Sequence, residues 1–162
     1  MTEIKTHAAN FWDDAARLHT SRVFESAENV LVFNPIVELR HIIDVIIEQV
    51  FTESKEISDL YTWYNIALIA VNSGYVKSSV EELVEILTTK HSDYGPYNIA
   101  RFGQRGIIIR LNDKISRLEH LASISRDAAN ESICDTYLDI VGYSVIGAML
   151  LDSTFFLGLN ED

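Results

Sequence analysis

Residues 90–117 carry cations at spacings that suit a phosphate. Lys90, Arg110, Lys114 and Arg117 lie there, among Asp93-Tyr94-Gly95, Asn98 and Asp113. A second run, Glu131-x-x-x-Asp135-x-x-x-Asp139-x-x-Gly142-Tyr143, sets three carboxylates four residues apart. Cations for phosphate and carboxylates for a divalent ion are the two components of a nucleotide site.

At 100° per residue, Glu131, Asp135 and Asp139 fall within about 80° of one another on a helix. Like charges at this spacing repel, so a cation between them is needed if the row is buried. Mg²⁺ suits the row because it binds carboxylate oxygens and keeps positions for phosphate and water. Mn²⁺ is the substitute. The alternative is structural: Glu131 complements the helix N-terminus, while Asp135 and Asp139 pair with cations or face water. Glu82-x-x-Glu85 is a second two-carboxylate arrangement. Against that use, Ser79-x-x-Glu82 matches a capping box, which occupies Glu82, and Glu85 belongs to a solvated face.

A helix over about 104–123 would place Arg110, Asp113, Lys114 and Arg117 on one face. Ile107, Ile108, Leu111, Ile115 and Leu118 would take another. Three cations so arranged can neutralise a triphosphate. They can equally form salt bridges with Asp135 and Asp139. Before that helix, Tyr94, Tyr97 or Phe102 can stack on a base, and Asn98 can read its edge. Lys90 and His91 fall in the last turn of a helix, where positive charge is favourable in any case.

The elements that must hold these residues read as helices throughout. Helical periodicity recurs and sustained two-residue alternation does not. Helices are expected over about 8–30, 36–52, 56–72, 80–91, 104–123 and 130–151, with Asn130 as a good N-cap. Residues 56–72 are apolar almost all round, the pattern of a buried helix. Residues 1–77 read as a helical extension packed on a functional unit at 78–151, and 152–162 as a loose tail.

The net charge of −11 argues against a partner that is a long nucleic acid. Charge is uneven, however. Seven of the 13 Lys and Arg residues lie in 90–126 against three carboxylates, so that block is +4 and the remainder −15. Such a patch suits a small anion. Cys134 is the only cysteine, which excludes an intrachain disulfide and points to a reducing compartment. The first residues have no apolar signal core, and Asp152 interrupts the apolar run 145–159. The expectation is a soluble cytoplasmic protein with no membrane partner. His7, His19, His41, His91 and His120 show no metal-ligand spacing, and neither a Walker loop nor a dinucleotide fingerprint is present.

The spaced run Lys90-x-x-Asp93-Tyr94-Gly95-x-x-Asn98, Gly106-x-x-x-Arg110-x-x-Asp113-Lys114-x-x-Arg117 and Glu131-Ser132-x-x-Asp135-Thr136-x-x-Asp139-x-x-Gly142-Tyr143 resembles the nucleotide-modification-associated domain family. Those are small all-α proteins of phages and bacteria. The resemblance covers about 78–150, under half the chain. That family in turn looks related to the all-α nucleoside triphosphate pyrophosphohydrolases of the MazG and dimeric dUTPase type. The relation implies a MazG-like four-helix core within a bundle of about five to six helices, and a homodimer or homotetramer. Phage encoding would put it in the host cytoplasm. It also implies Mg²⁺ held by Glu82 and Glu85 with Asp135 and Asp139. The second acidic pair is usually three apart, whereas here it is four.

Three functions follow as expectations. The first is a Mg²⁺-dependent nucleotide pyrophosphohydrolase, with Glu131, Asp135 and Asp139 catalytic and Lys90, Asp93, Tyr94, Asn98, Arg110, Asp113, Lys114 and Arg117 holding the nucleotide. The second is a protein that binds or sequesters a nucleotide without turnover. The third is a helical oligomeric interaction protein.

Overall fold

The computed structural model describes residues 9–124 and 127–160, with 127–130 by backbone alone. Arg126, one cation of the basic block, falls outside the described residues. Six α-helices and no strand occur among the described residues. They are α1 (Trp12–Ala27), α2 (Pro35–Ile47), α3 (Leu60–Val71), α4 (Val80–Tyr94), α5 (Tyr97–Ala122) and α6 (Asp127–Leu151). A π-helical turn, Glu48–Thr52, follows α2, and a 3₁₀ turn, Thr154–Phe156, follows α6.

Local chemistry explains most boundaries. Asn34 caps α2 ahead of Pro35, whose missing N–H costs nothing in a first turn. Asp59 accepts from Tyr61 N–H at 2.9 Å. That cap starts α3 at Leu60 rather than at 56. Ser79 and Glu82 form the full capping box of α4. Gly95, at φ +72°, ends α4 in a conformation that other residues rarely adopt.

Two departures from the expected spans lie inside helices. The apolar run 36–52 does not stay α-helical but widens into the π turn, which buries Val50 and leaves Phe51 partly exposed. Helix α5 begins at Tyr97, yet Gly103 breaks it at φ +57°, ψ −144°. The regular helix therefore starts at about 104, and residues 97–102 form a separate short helical piece before it. Helix α6 begins at Asp127 rather than at Asn130.

Helix α6 is central. It packs most extensively on α3 and α5 and also meets α1. Helix α1 lies on α3 and α4, and α2 lies on α5 and α3. A single buried cluster runs from Trp12 to Phe155, so residues before 78 contribute as fully to the core as those after it. The stretch Glu131–Leu151 is long and apolar enough to cross a membrane, but most of it is buried among the other helices.

The closest approach is between α3 and α6. A Cβ placed on Gly147 would overlap the ring of Trp63, which is fully buried. Only hydrogen at position 147 admits that ring.

The segment after α6 is not loose, contrary to the sequence-based expectation. Trp12 N–H donates to Gly158 O at 2.7 Å, and Asn160 N–H donates to Asp13 Oδ1 at 3.0 Å. Phe155 is buried. Asp152, which seemed only to interrupt an apolar run, lies 2.8 Å from His19 Nε2 and accepts from Thr154 Oγ1 at 2.6 Å. The other His19 nitrogen meets the Tyr64 hydroxyl, so α1, α3 and the C-terminal segment share one buried polar chain. Phe155, two backbone hydrogen bonds and one satisfied carboxylate hold down a tail whose periodicity is too short to read.

Two expectations follow. Gly147→Ala should destabilise the fold by about 1–3 kcal/mol, because the new methyl would overlap the fully buried Trp63 ring and force the core to shift. Denaturant titration measures it, and an unchanged midpoint would refute this packing. The second concerns pH. Burial alone would raise the Asp152 carboxyl, but hydrogen bonds from His19 and Thr154 outweigh it and hold it below the ordinary value. A carboxylate depressed on folding stabilises above its unfolded pKa of about 4, and that contribution is lost as pH falls through the folded value. Stability should therefore fall more steeply with acid in the wild type than in Asp152→Asn. Equal slopes would show that the pairing adds nothing.

Candidate functional site

A cleft of about 520 Å³ opens between α4 and α5 over α6. Leu83, Ile86 and Leu87 of α4 and Leu138, Gly142 and Ile146 of α6 supply apolar lining. Gly142 faces Leu87 closely: a Cβ there would stand 3.0 Å from Leu87 Cδ2. Around this lining lie Lys90, His91, Tyr94 and Gly95, then Asn98, Arg110 and Lys114, then Asp139 and Tyr143.

The charges converge on Asp139. Lys114 Nζ lies 2.9 Å from Asp139 Oδ2, and Lys90 Nζ lies 3.5 Å from Oδ1. Arg110 has no carboxylate partner among the described residues. Its guanidinium lies 5.8 Å from the centre of the Tyr143 ring, a cation–π distance. Two lysines thus flank one carboxylate and Arg110 stands on the same cleft, so three cations face one acid there. The Lys114 and Asp139 side chains are 30 % and 28 % exposed. Their attraction is less screened than that of a surface pair, yet an entering anion can still reach the ammonium.

Of the residues the sequence singled out, the cleft gathers Lys90, Tyr94, Asn98, Arg110, Lys114 and Asp139. It does not gather the others. Asp93, Asp113 and Arg117 are exposed and off the lining, Arg117 lying a turn beyond Lys114 along α5. Glu131 and Asp135 are exposed, about two turns and one turn respectively before Asp139 toward the start of α6. Glu82 accepts from Ser79 N–H at 2.9 Å, and its bonds to Ser79 lower its carboxyl below the usual value. Glu85 is exposed and also lies off the lining.

Among the described residues, no three His, Cys, Asp or Glu side chains come together as a metal-holding group. Among the described residues Asp139 is the sole carboxylate lining the cleft, and lysines engage both its oxygens. This donor set does not fit Mg²⁺ or Mn²⁺, which bind through free carboxylate oxygens.

One feature of the cleft carries little sequence signal. His91 is held by Trp12, 79 positions earlier (91 − 12), and no local spacing reveals that partner. Elsewhere the basic block is spent structurally. Arg105 pairs with Glu56 at 2.7 Å and lies over Phe51. Arg40, outside the block, ties α2 to α5 through Glu119 at 2.8 Å and Asn112 at 2.7 Å. Comparison with family models, with curated proteins and with solved structures returns no match.

Proposed function

We propose that the cleft binds a nucleotide, its phosphates taken by Lys90, Arg110 and Lys114 and its base by the apolar and aromatic remainder. The observation that carries this reading is the surplus of cations around Asp139 beside an apolar lining. Phosphate oxygens can replace the Asp139 carboxylate at Lys114 and accept from the unpaired Arg110 guanidinium. Asp139 then acts as an internal counter-ion, keeping the lysines ordered until an anion arrives. Binding or sequestration, rather than hydrolysis, is the function this charge arrangement supports, within a reducing cytoplasm.

The test is calorimetry with nucleoside triphosphates in excess chelator, with pyrophosphate release followed in parallel. Lys114→Ala should weaken binding about tenfold or more, the loss of one charge-assisted hydrogen bond. Asp139→Asn should tighten binding, since it removes the competing carboxylate, while changing stability by less than about 1 kcal/mol. If binding instead requires Mg²⁺ and Asp139→Asn abolishes it, Asp139 is a metal ligand and the pyrophosphohydrolase reading replaces this one.

Self-association is a second proposal, favoured by apolar side chains in solvent. Leu31, Phe33 and Val37 are 74 %, 87 % and 61 % exposed. A homodimer or homotetramer would cover them. Sedimentation velocity should show an oligomer that Phe33→Glu reduces to a monomer. A wild-type monomer at micromolar concentration would end that proposal.

A further inference from the structure

His91 takes no part in the charge arrangement, yet it is the most firmly held polar side chain on the cleft wall. Trp12 stacks on it with ring centroids 4.2 Å apart and planes 9° from parallel. Phe155 meets it edge-on, 5.1 Å between centroids and 73° between planes. Trp12 and Phe155 are themselves fully buried, at 0 % and 1 % exposure. One clamp comes from α1 and the other from the turn after α6, so the ring cannot rotate without disturbing two separate parts of the core.

Neither ring nitrogen of His91 is hydrogen bonded to the described residues. Burial also pushes the imidazole below its ordinary pKa, so near neutral pH it is uncharged. A neutral imidazole offers one donor and one acceptor. Such a pair, fixed in orientation, suits the edge of a planar heterocycle better than a phosphate. Tyr94 borders the same cleft but is 82 % exposed and has no comparable clamp.

We propose that His91 is the specificity-determining residue of the cleft, hydrogen bonding the edge of the ligand's heterocycle while Trp12 and Phe155 hold it in place. This rests on the nucleotide reading and adds what that reading lacks. The cations alone treat a nucleotide and an inorganic polyphosphate alike, whereas His91 separates them. Discrimination follows because an analogue without the heterocycle makes no use of the ring nitrogens.

The experiment compares the four deoxynucleoside triphosphates with inorganic tripolyphosphate by calorimetry in chelator. His91→Phe keeps an aromatic ring against Trp12 and removes the nitrogens. His91→Gln restores a donor and an acceptor without the stack. His91→Phe should weaken the tightest nucleoside triphosphate about tenfold and leave tripolyphosphate unchanged, and His91→Gln should recover part of the loss. Thermal melts report whether each variant folds. Equal weakening of both ligands would make His91 a structural residue and overturn the proposal, as would no change in either. A wild-type protein that binds tripolyphosphate with no preference for nucleosides overturns the role of His91 but leaves the phosphate site standing. Binding of none of these ligands overturns the nucleotide reading and this inference together.

Discussion

The contact between Gly147 and Trp63 is the constraint on which the rest of the architecture depends. It sets how near α3 and α6 can lie, and α6 carries the remaining helices. Gly142 repeats the device five residues earlier. Five residues turn a helix through about 140° beyond a full rotation, so the two glycines open different sides of α6. One side admits Trp63, the other admits Leu87. A helix whose surface is cut away on two sides can be surrounded closely, as α6 is. Gly142 leaves room for the tip of Leu87 on the apolar side of the cleft, while Lys90 and Asp139 stand at its edge.

Charge follows from that geometry. The chain is strongly acidic, and outside the cleft two arginines are tied to carboxylates that join one helix to another. Arg17 holds Glu81 at 2.7 Å between α1 and α4, and Arg40 holds Glu119 between α2 and α5. The cleft is the exception, with more cations than acids facing a partly dry space. An acidic exterior around a positive recess favours small anions that can enter over polymers that must lie across the surface.

Much of this was legible in the chain, and what was not had a physical reason. The apolar faces of α2 and α5 follow the 3.6-residue period, and the buried set Ile107, Ile108, Leu111, Ile115 and Leu118 came out as spaced. Lys90, Arg110, Lys114 and Asp139 converge because each lies on a regular helix, where spacing determines direction. The row of acids misled for the complementary reason. Spacing puts Glu131, Asp135 and Asp139 on one face, but each step of four residues also moves about 6 Å along the axis. Only the last reaches the lysines. The His19–Asp152–Tyr64 chain and the Trp12–His91–Phe155 cluster had no local pattern at all, since each joins residues far apart in the chain. The kink at Gly103 needed a backbone conformation that one glycine permits but does not announce.

That aromatic cluster ties recognition to the order in which the protein assembles. His91 is separated from Trp12 by 79 positions and from Phe155 by 64 (155 − 91), so its ring is immobilised only after two long loops have closed. The cations of the cleft sit on elements nearer one another in the chain and can be in place sooner. A folding intermediate in which α4, α5 and α6 have met would therefore gather the cations of the cleft while its imidazole remained unclamped. On the proposed nucleotide reading, the groups that attract the ligand are local in the chain and the group that selects it is held globally.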